Sequence, residues 1–232
     1  MSVWTRLGDL FSSATADAFS TLVEGARSLF EGDKLTRSQV SFSIAMVALS
    51  AKMAKADGIV TTDEIEAFRD IFSIPDEQAT NVARLFNLAK QDVAGYESYA
   101  RKVKGLFPDD EVILEDVLDG LFHIAKADGV IHEKEMSFLD RIAEIFEIAP
   151  IHYRRIKARH VEAGERDAYL QLDAEPSWDD EQLKSHYRKL VQENHPDRLI
   201  ARGVPEEFIA IANERLAAIN SAWQIVREER GL

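Results

Sequence analysis

Cysteine is absent from the chain. That excludes a disulfide framework, a thiolate zinc site and a cysteine nucleophile, and it fits a reducing compartment. Long apolar runs are absent as well: no stretch reaches the roughly eighteen residues needed to span a bilayer. The nearest candidate, SFSIAMVALSAKMA from Ser41 to Ala54, is short and interrupted by Lys52, and it reads as a buried core helix. Strict apolar/polar alternation is nearly missing, so strands are not expected. Neither G-x-x-x-x-G-K-[ST] nor H-E-x-x-H occurs, which removes the common phosphate-loop and zinc-protease readings. Positive charge is in the minority, with 28 Lys and Arg against 41 Asp and Glu and a formal net charge of −13. A chain so charged repels phosphate backbones and anionic lipid surfaces, and nucleic acid is not expected as a partner.

What is present is a chain of 232 residues, 46% hydrophobic. That is enough for one large or two modest domains, each with its own core. Apolar residues recur at three- and four-residue intervals almost throughout, so the fold class is all-α. The first segment places Trp4, Leu7, Phe11, Ala14, Ala18 and Leu22 on one helical face. Its other face mixes Arg6 and Arg27 with Asp9, Asp17 and Glu24, unlike the lysine- and arginine-rich face of a membrane-surface helix. It has neither the basic start nor the cleavage site of a signal peptide. Docking on protein is favoured over membrane contact, and a cytoplasmic location, at most peripheral to the inner membrane, is expected.

An internal repeat organises the middle of the chain. AKADGIVTTDEIEAF, Ala54 to Phe68, returns as AKADGVIHEKEMSFL, Ala125 to Leu139, with Asp57, Gly58 and Glu64 matching Asp128, Gly129 and Glu135. Each copy lies between apolar helices, and two such units would share one bundle because neither buries its apolar face alone. The spacing copies the back half of an EF-hand loop, but the early aspartates are replaced by Met53 and Lys55, or Ile124 and Lys126. The favoured reading is structural: a helix-ending Asp-Gly turn, then Thr61-x-x-Glu64 as a capping box, with Glu133 and Glu135 in the first turn of a helix. The alternative is that both turns meet and Asp57, Glu64, Asp128 and Glu135 pool their oxygens around a divalent cation. No other cofactor is implied.

Beyond the repeat, Pro150 opens a helix carrying Arg154, Arg155, Lys157 and Arg159, expected as a solvated face. Gly164 marks the break before a unit of about 65 residues, within the range that folds alone. The boundaries are therefore an N-terminal amphipathic helix and linker over 1–38, a bundle over 39–165 and a small unit over 166–232. In that last unit Ser177 and Asp180 start a helix whose apolar face is Leu183, Tyr187, Leu190 and Val191. Lys184 and Arg188 lie one turn apart on its other side, with Lys189 beside them. Pro196 stops the helix near Asn194 and leaves His195 and Asp197 in an exposed loop. A second helix opens at Pro205, with Phe208, Ile211, Ala212, Ile219, Ala222, Trp223 and Val226 as its stripe. Tyr169 and Leu172 pack against the hairpin.

Three readings compete for His195-Pro196-Asp197. It is a chance turn, a general base with an orienting carboxylate, or a recognition tip preorganised by proline. No nucleophile is grouped near it, which weakens the hydrolase reading, and the basic helix beside it would steer an acidic partner.

Two resemblances follow from these motifs. The paired KADG…E motifs in a helical bundle resemble the TerB domain of the tellurite-resistance family, over about Gln39 to Arg159. That family implies an all-α fold and an acidic metal site. YRKLVQENHPDRL, with ERLAAINSAWQIV on the later helix, resembles the J-domain of DnaJ-type co-chaperones, from about Asp167 to Leu232. The J-domain resemblance implies docking on a DnaK-type chaperone and stimulation of its ATP hydrolysis, with no nucleotide held by this chain. By position, His195, Pro196 and Asp197 would be the triggering loop, Lys184, Arg188 and Lys189 the docking helix, and Arg198 its neighbour. The chain lacks a glycine/phenylalanine-rich linker and a zinc module, so broad client capture is not expected. Asp173 stands where the family often has glycine, which puts the shape of that turn in question. The runner-up is a metal-responsive stress protein in which the hairpin is only a tether.

Overall fold

Helix α1, Lys34–Asp57, shows why the most apolar stretch becomes the centre of the molecule. Every residue from Val40 to Ala54 is buried, so the helix has no solvent face there and neighbours cover it all round. Lys52, 4% exposed, lies over the ring of Tyr99, with Nζ 4.5 Å from the centroid. The computed structural model describes residues 34–57, 68–69, 74, 76–91, 95–108, 110–127, 129–160 and 168–232. The expected N-terminal amphipathic helix, Thr61, Glu64, Asp128 and Gly164 lie outside them, as does the side chain of Asp57.

Around α1 stand α2 (Asp76–Gln91), α3 (Tyr96–Leu106), α4 (Glu111–Ala125), α5 (Glu133–Phe146) and α6 (Pro150–His160). No strand occurs among the described residues. Helix α4 is nearly as enclosed as α1, with Leu114, Val117, Leu118, Leu121 and Phe122 fully covered. Asp110 caps it by accepting the Ile113 N–H at 3.2 Å. Its end meets the expectation for the second repeat copy: Gly129 takes φ 93° and donates its N–H to the Lys126 carbonyl at 2.8 Å. The chain there turns through the left-handed region that favours glycine. Glu135 then accepts the His132 N–H at 2.9 Å, closing the start of α5 as a cap.

The C-terminal part holds α7 (Ala168–Gln171), α8 (Asp180–Glu193), α9 (Pro196–Arg202), a 3-10 turn (Glu206–Phe208) and α10 (Ile209–Arg230). Two apolar cores result, and α10 takes part in both. Ile219, Ala222 and Val226 pack with Tyr169, Leu172, Leu183 and Leu190 in the smaller core. Phe208, Ile211 and Ala212, together with Leu199 and Val204, belong to the core of the bundle. Phe208 meets Phe42 of α1 edge to face at 4.7 Å between centroids, a geometry worth about 0.5–1.5 kcal/mol beyond area burial. At the end of α9, Gly203 (φ 109°) lies so close to α1 that a Cβ would sit 2.3 Å from Ser38 Oγ. One apolar stripe therefore serves two cores.

Candidate functional site

Helix α8 is capped by Asp179 rather than Ser177. Asp179 accepts the Gln182 N–H at 2.8 Å, and the Gln182 side chain accepts the Asp179 N–H at 3.0 Å. Ser177 is instead engaged with Glu175. The reciprocal cap won because glutamine three residues on satisfies a second donor. Leu183 and Leu190 are buried and Tyr187 stacks on Trp223, 4.6 Å apart and tilted by 9°. The Tyr187 hydroxyl donates to Asn220 at 3.0 Å. Arg230 closes the far end by donating to the Tyr169 hydroxyl at 2.9 Å, the Trp178 carbonyl at 2.9 Å and Asp180 at 3.1 Å, and also to the Pro176 carbonyl. Asp173 adopts φ 51°, the conformation a glycine would supply, and pairs with Arg155 at 3.6 Å, so the turn keeps its shape.

Asn194 ends α8, its N–H donating to Leu190 O at 3.0 Å. His195 leaves helical geometry at φ −66°, ψ 134°, as the following proline demands. It does not enter a loop, however: Pro196 is the first residue of α9, where its missing N–H costs nothing. His195 Nδ1 accepts the Asp197 N–H at 3.3 Å and caps this short helix. The triplet is thus a helix start, and the expected loop is filled by α9 and the 3-10 turn, with Pro205 ahead of that turn. The side chains stay outside, 52% exposed for His195 and 88% for Asp197. Their closest approach, Nδ1 to Oδ2, is 3.6 Å. With Nδ1 occupied as an acceptor, the carboxylate does not orient the ring as a base requires. The arrangement presents two polar groups on a fixed backbone.

The basic residues fall into two sets. Lys184 and Arg188 share a face of α8, Lys184 at 3.8 Å from Glu181. Lys189, 3.8 Å from Glu193, and Arg198 of α9 line a cleft against the bundle. Arg188 and Arg198 have no carboxylate within 4.0 Å among the described residues. Of the four carboxylates considered for a cation, only Glu135 is described, 2% exposed and committed to its cap. Among the described residues no group of three or more metal-ligating side chains occurs.

Between the cores lies a feature not anticipated. Arg215 of α10, 7% exposed, donates to Asp116 at 2.5 Å and to Asp119 at 3.0 and 2.8 Å. Arg159 and His160 of α6 reach the other Asp119 oxygen at 2.7 and 3.0 Å. Burial pushes the Asp119 carboxyl up, but Arg159, Arg215 and His160 overcome it and hold it well below the usual range. Asp116 has fewer partners, and burial raises it despite Arg215. Arg155 and Arg159 of α6 are therefore not on a solvated face, being 18% and 8% exposed and pointing at Glu115, Asp173 and Asp119, whereas Arg154 is exposed as expected. The signal was in the sequence, two aspartates three apart in the apolar run VILEDVLDGLF and one arginine in IAIANERLAAIN.

Comparison with known proteins places these elements. Residues 43–158 match the model of the family described as tellurite resistance protein TerB. A protein of Photobacterium profundum named co-chaperone protein DjlA is 28% identical over 219 residues, covering 83% of this chain and 79% of its own. The protein of that name from Legionella pneumophila is 24% identical, covering 88% and 81%. That from Coxiella burnetii is 26% identical, covering 78% and 74%. No solved structure matches.

Proposed function

From a chain that belongs to the TerB family and is a DjlA-like protein of the DnaJ co-chaperone family, we propose a specific division of labour. The unit from Ala168 to Leu232 acts as a J-domain that docks on a DnaK-type chaperone and stimulates its ATPase. The bundle contributes location or client choice. The observation that carries this reading is the His195-Pro196-Asp197 triplet itself, held by its own helix cap, with both polar side chains exposed. A rigid tip loses little entropy on binding, so contact energy is available to the partner's transition state. Lys184, Arg188, Lys189 and Arg198 supply positive charge beside it on a chain of net charge −13, which steers an acidic surface to this end. No described helix is long and apolar enough to cross a membrane.

The test is single-turnover ATP hydrolysis by a DnaK-type chaperone with the parent chain and with His195→Gln. The parent is expected to accelerate hydrolysis and the variant to lose most of that effect. His195 is half exposed but caps α9, so the substitution should cost no more than about 2 kcal/mol of stability. Acceleration retained by His195→Gln at unchanged helicity would remove the triplet from the mechanism.

A further inference from the structure

We propose that the cleft between the bundle and the C-terminal hairpin is a binding site for a polyvalent inorganic oxyanion, phosphate or pyrophosphate. The cleft measures about 570 Å³, within the range of small-molecule sites. Its wall carries six cationic side chains, Arg155, Arg159, Lys189, Arg198, Arg202 and Arg215, against three carboxylates, Glu115, Asp173 and Glu193. This concentration of positive charge occurs on a strongly acidic chain, and converging cations focus the local field whatever the sign of the whole.

The pairing inside the wall is uneven. Arg215 is fully engaged by Asp116 and Asp119. Arg155 is shared between Glu115 at 3.4 Å and Asp173 at 3.6 Å, and Lys189 stands 3.8 Å from Glu193. These contacts are long for charge-assisted bonds. Arg202 donates to the Glu193 carbonyl at 3.3 Å and, like Arg198, has no carboxylate within 4.0 Å among the described residues. The Nε–H groups of Arg155, Arg159 and Arg202 are buried with no acceptor. Native interiors rarely leave such donors unpaired, and three of them stand around one cleft. A tetrahedral oxyanion supplies several acceptors at once to guanidinium forks built for paired oxygens, once those forks turn toward it. No Phe, Tyr or Trp is among the described lining residues, so a nucleoside base would find no aromatic platform. The inorganic anion is therefore the fitting occupant.

Lys189 and Arg198 belong both to this cleft and to the proposed docking set. On the co-chaperone reading, a bound oxyanion takes two docking cations out of use. The site itself does not rest on that reading.

Calorimetric titration of the full chain with pyrophosphate, orthophosphate and ADP, at low ionic strength and with sodium chloride as the matched control, tests it. One site per chain is expected, with pyrophosphate binding below about 1 mM and more tightly than orthophosphate. ADP should bind no tighter than pyrophosphate. Arg198→Gln/Arg202→Gln should weaken pyrophosphate at least about tenfold, while Arg101→Gln on α3, an exposed arginine away from the lining, should change it less than about twofold. Should the double variant melt early, Arg198→Gln alone, at an exposed position, gives the same reading. Absence of saturable pyrophosphate binding, equal weakening by Arg101→Gln, or ADP binding tenfold tighter than pyrophosphate would each overturn the proposal. Pyrophosphate binding that leaves chaperone stimulation untouched would overturn the shared-cation consequence and leave the site standing.

Discussion

Replacing Arg215 with methionine keeps much of the side-chain volume and removes the charge on which two buried aspartates depend. Asp119 retains Arg159 at 2.7 Å and His160 at 3.0 Å, so its loss is partial. Asp116 loses its hydrogen-bonded partner, and its Oδ2 already has none. Removing one member of a buried ion pair costs about 3–5 kcal/mol, because the other charge is left without compensation. For a chain of this length that corresponds to a fall in Tm of roughly 6–20 °C. Burial already raises Asp116, so in the variant it escapes by binding a proton. The deficit should shrink between pH 8 and pH 5, and Asp116→Asn added to Arg215→Met should recover part of it at pH 8. Urea and thermal denaturation of the parent, the single and the double variant at both pH values provide the measurement. A loss under about 1 kcal/mol at pH 8, or a double variant no more stable than the single, would refute the claim that Arg215 compensates the buried Asp116 charge.

Gly203→Ala should destabilise by about 1–3 kcal/mol, because the position needs φ 109° and the new methyl would meet Ser38. Ser38→Gly in the same chain should recover only the steric share, which thermal melting can separate. Acidification should lower Tm in two windows. His123 is held neutral by burial, which outweighs Glu214, so its contribution is complete above about pH 6.5 and is lost as pH falls from there towards its lower folded value. Asp119, held well below the usual range, contributes above about pH 3.9, and that share goes as pH falls further towards its folded value. His123→Gln should remove the first window only, and a parent chain with flat Tm between pH 7 and pH 5 would refute its assignment.

Elements with a long apolar period were legible before any coordinates. The buried run of α1, the face of α8 and the stripe of α10 all follow from spacing. Helix α9 was not legible, because seven residues hold less than two full turns and PDRLIAR shows no repeat to read. The choice of Asp179 over Ser177 turned on which of two neighbouring caps found a reciprocal partner, which only geometry decides. The stripe of α10 concealed its division between two cores, since periodicity tells which side is buried and not against what. For the same reason Arg155 and Arg159, which look like part of a solvated row, turned out to face carboxylates on α4. The His-Pro-Asp triplet was legible as an exposed turn, but not as the cap of a new helix.

Helix α10 runs 22 residues without interruption, a rod of about 33 Å. One end is built into the bundle and the other into the hairpin. A flexible tether between such units would set only how often two bound partners meet. A continuous rod instead sets a bearing: the hairpin face built from α7 and α8 stands along one fixed line from the bundle. Extending the rod by a single residue between the two cores would rotate one unit by about 100° relative to the other, leaving both surfaces intact but aimed apart.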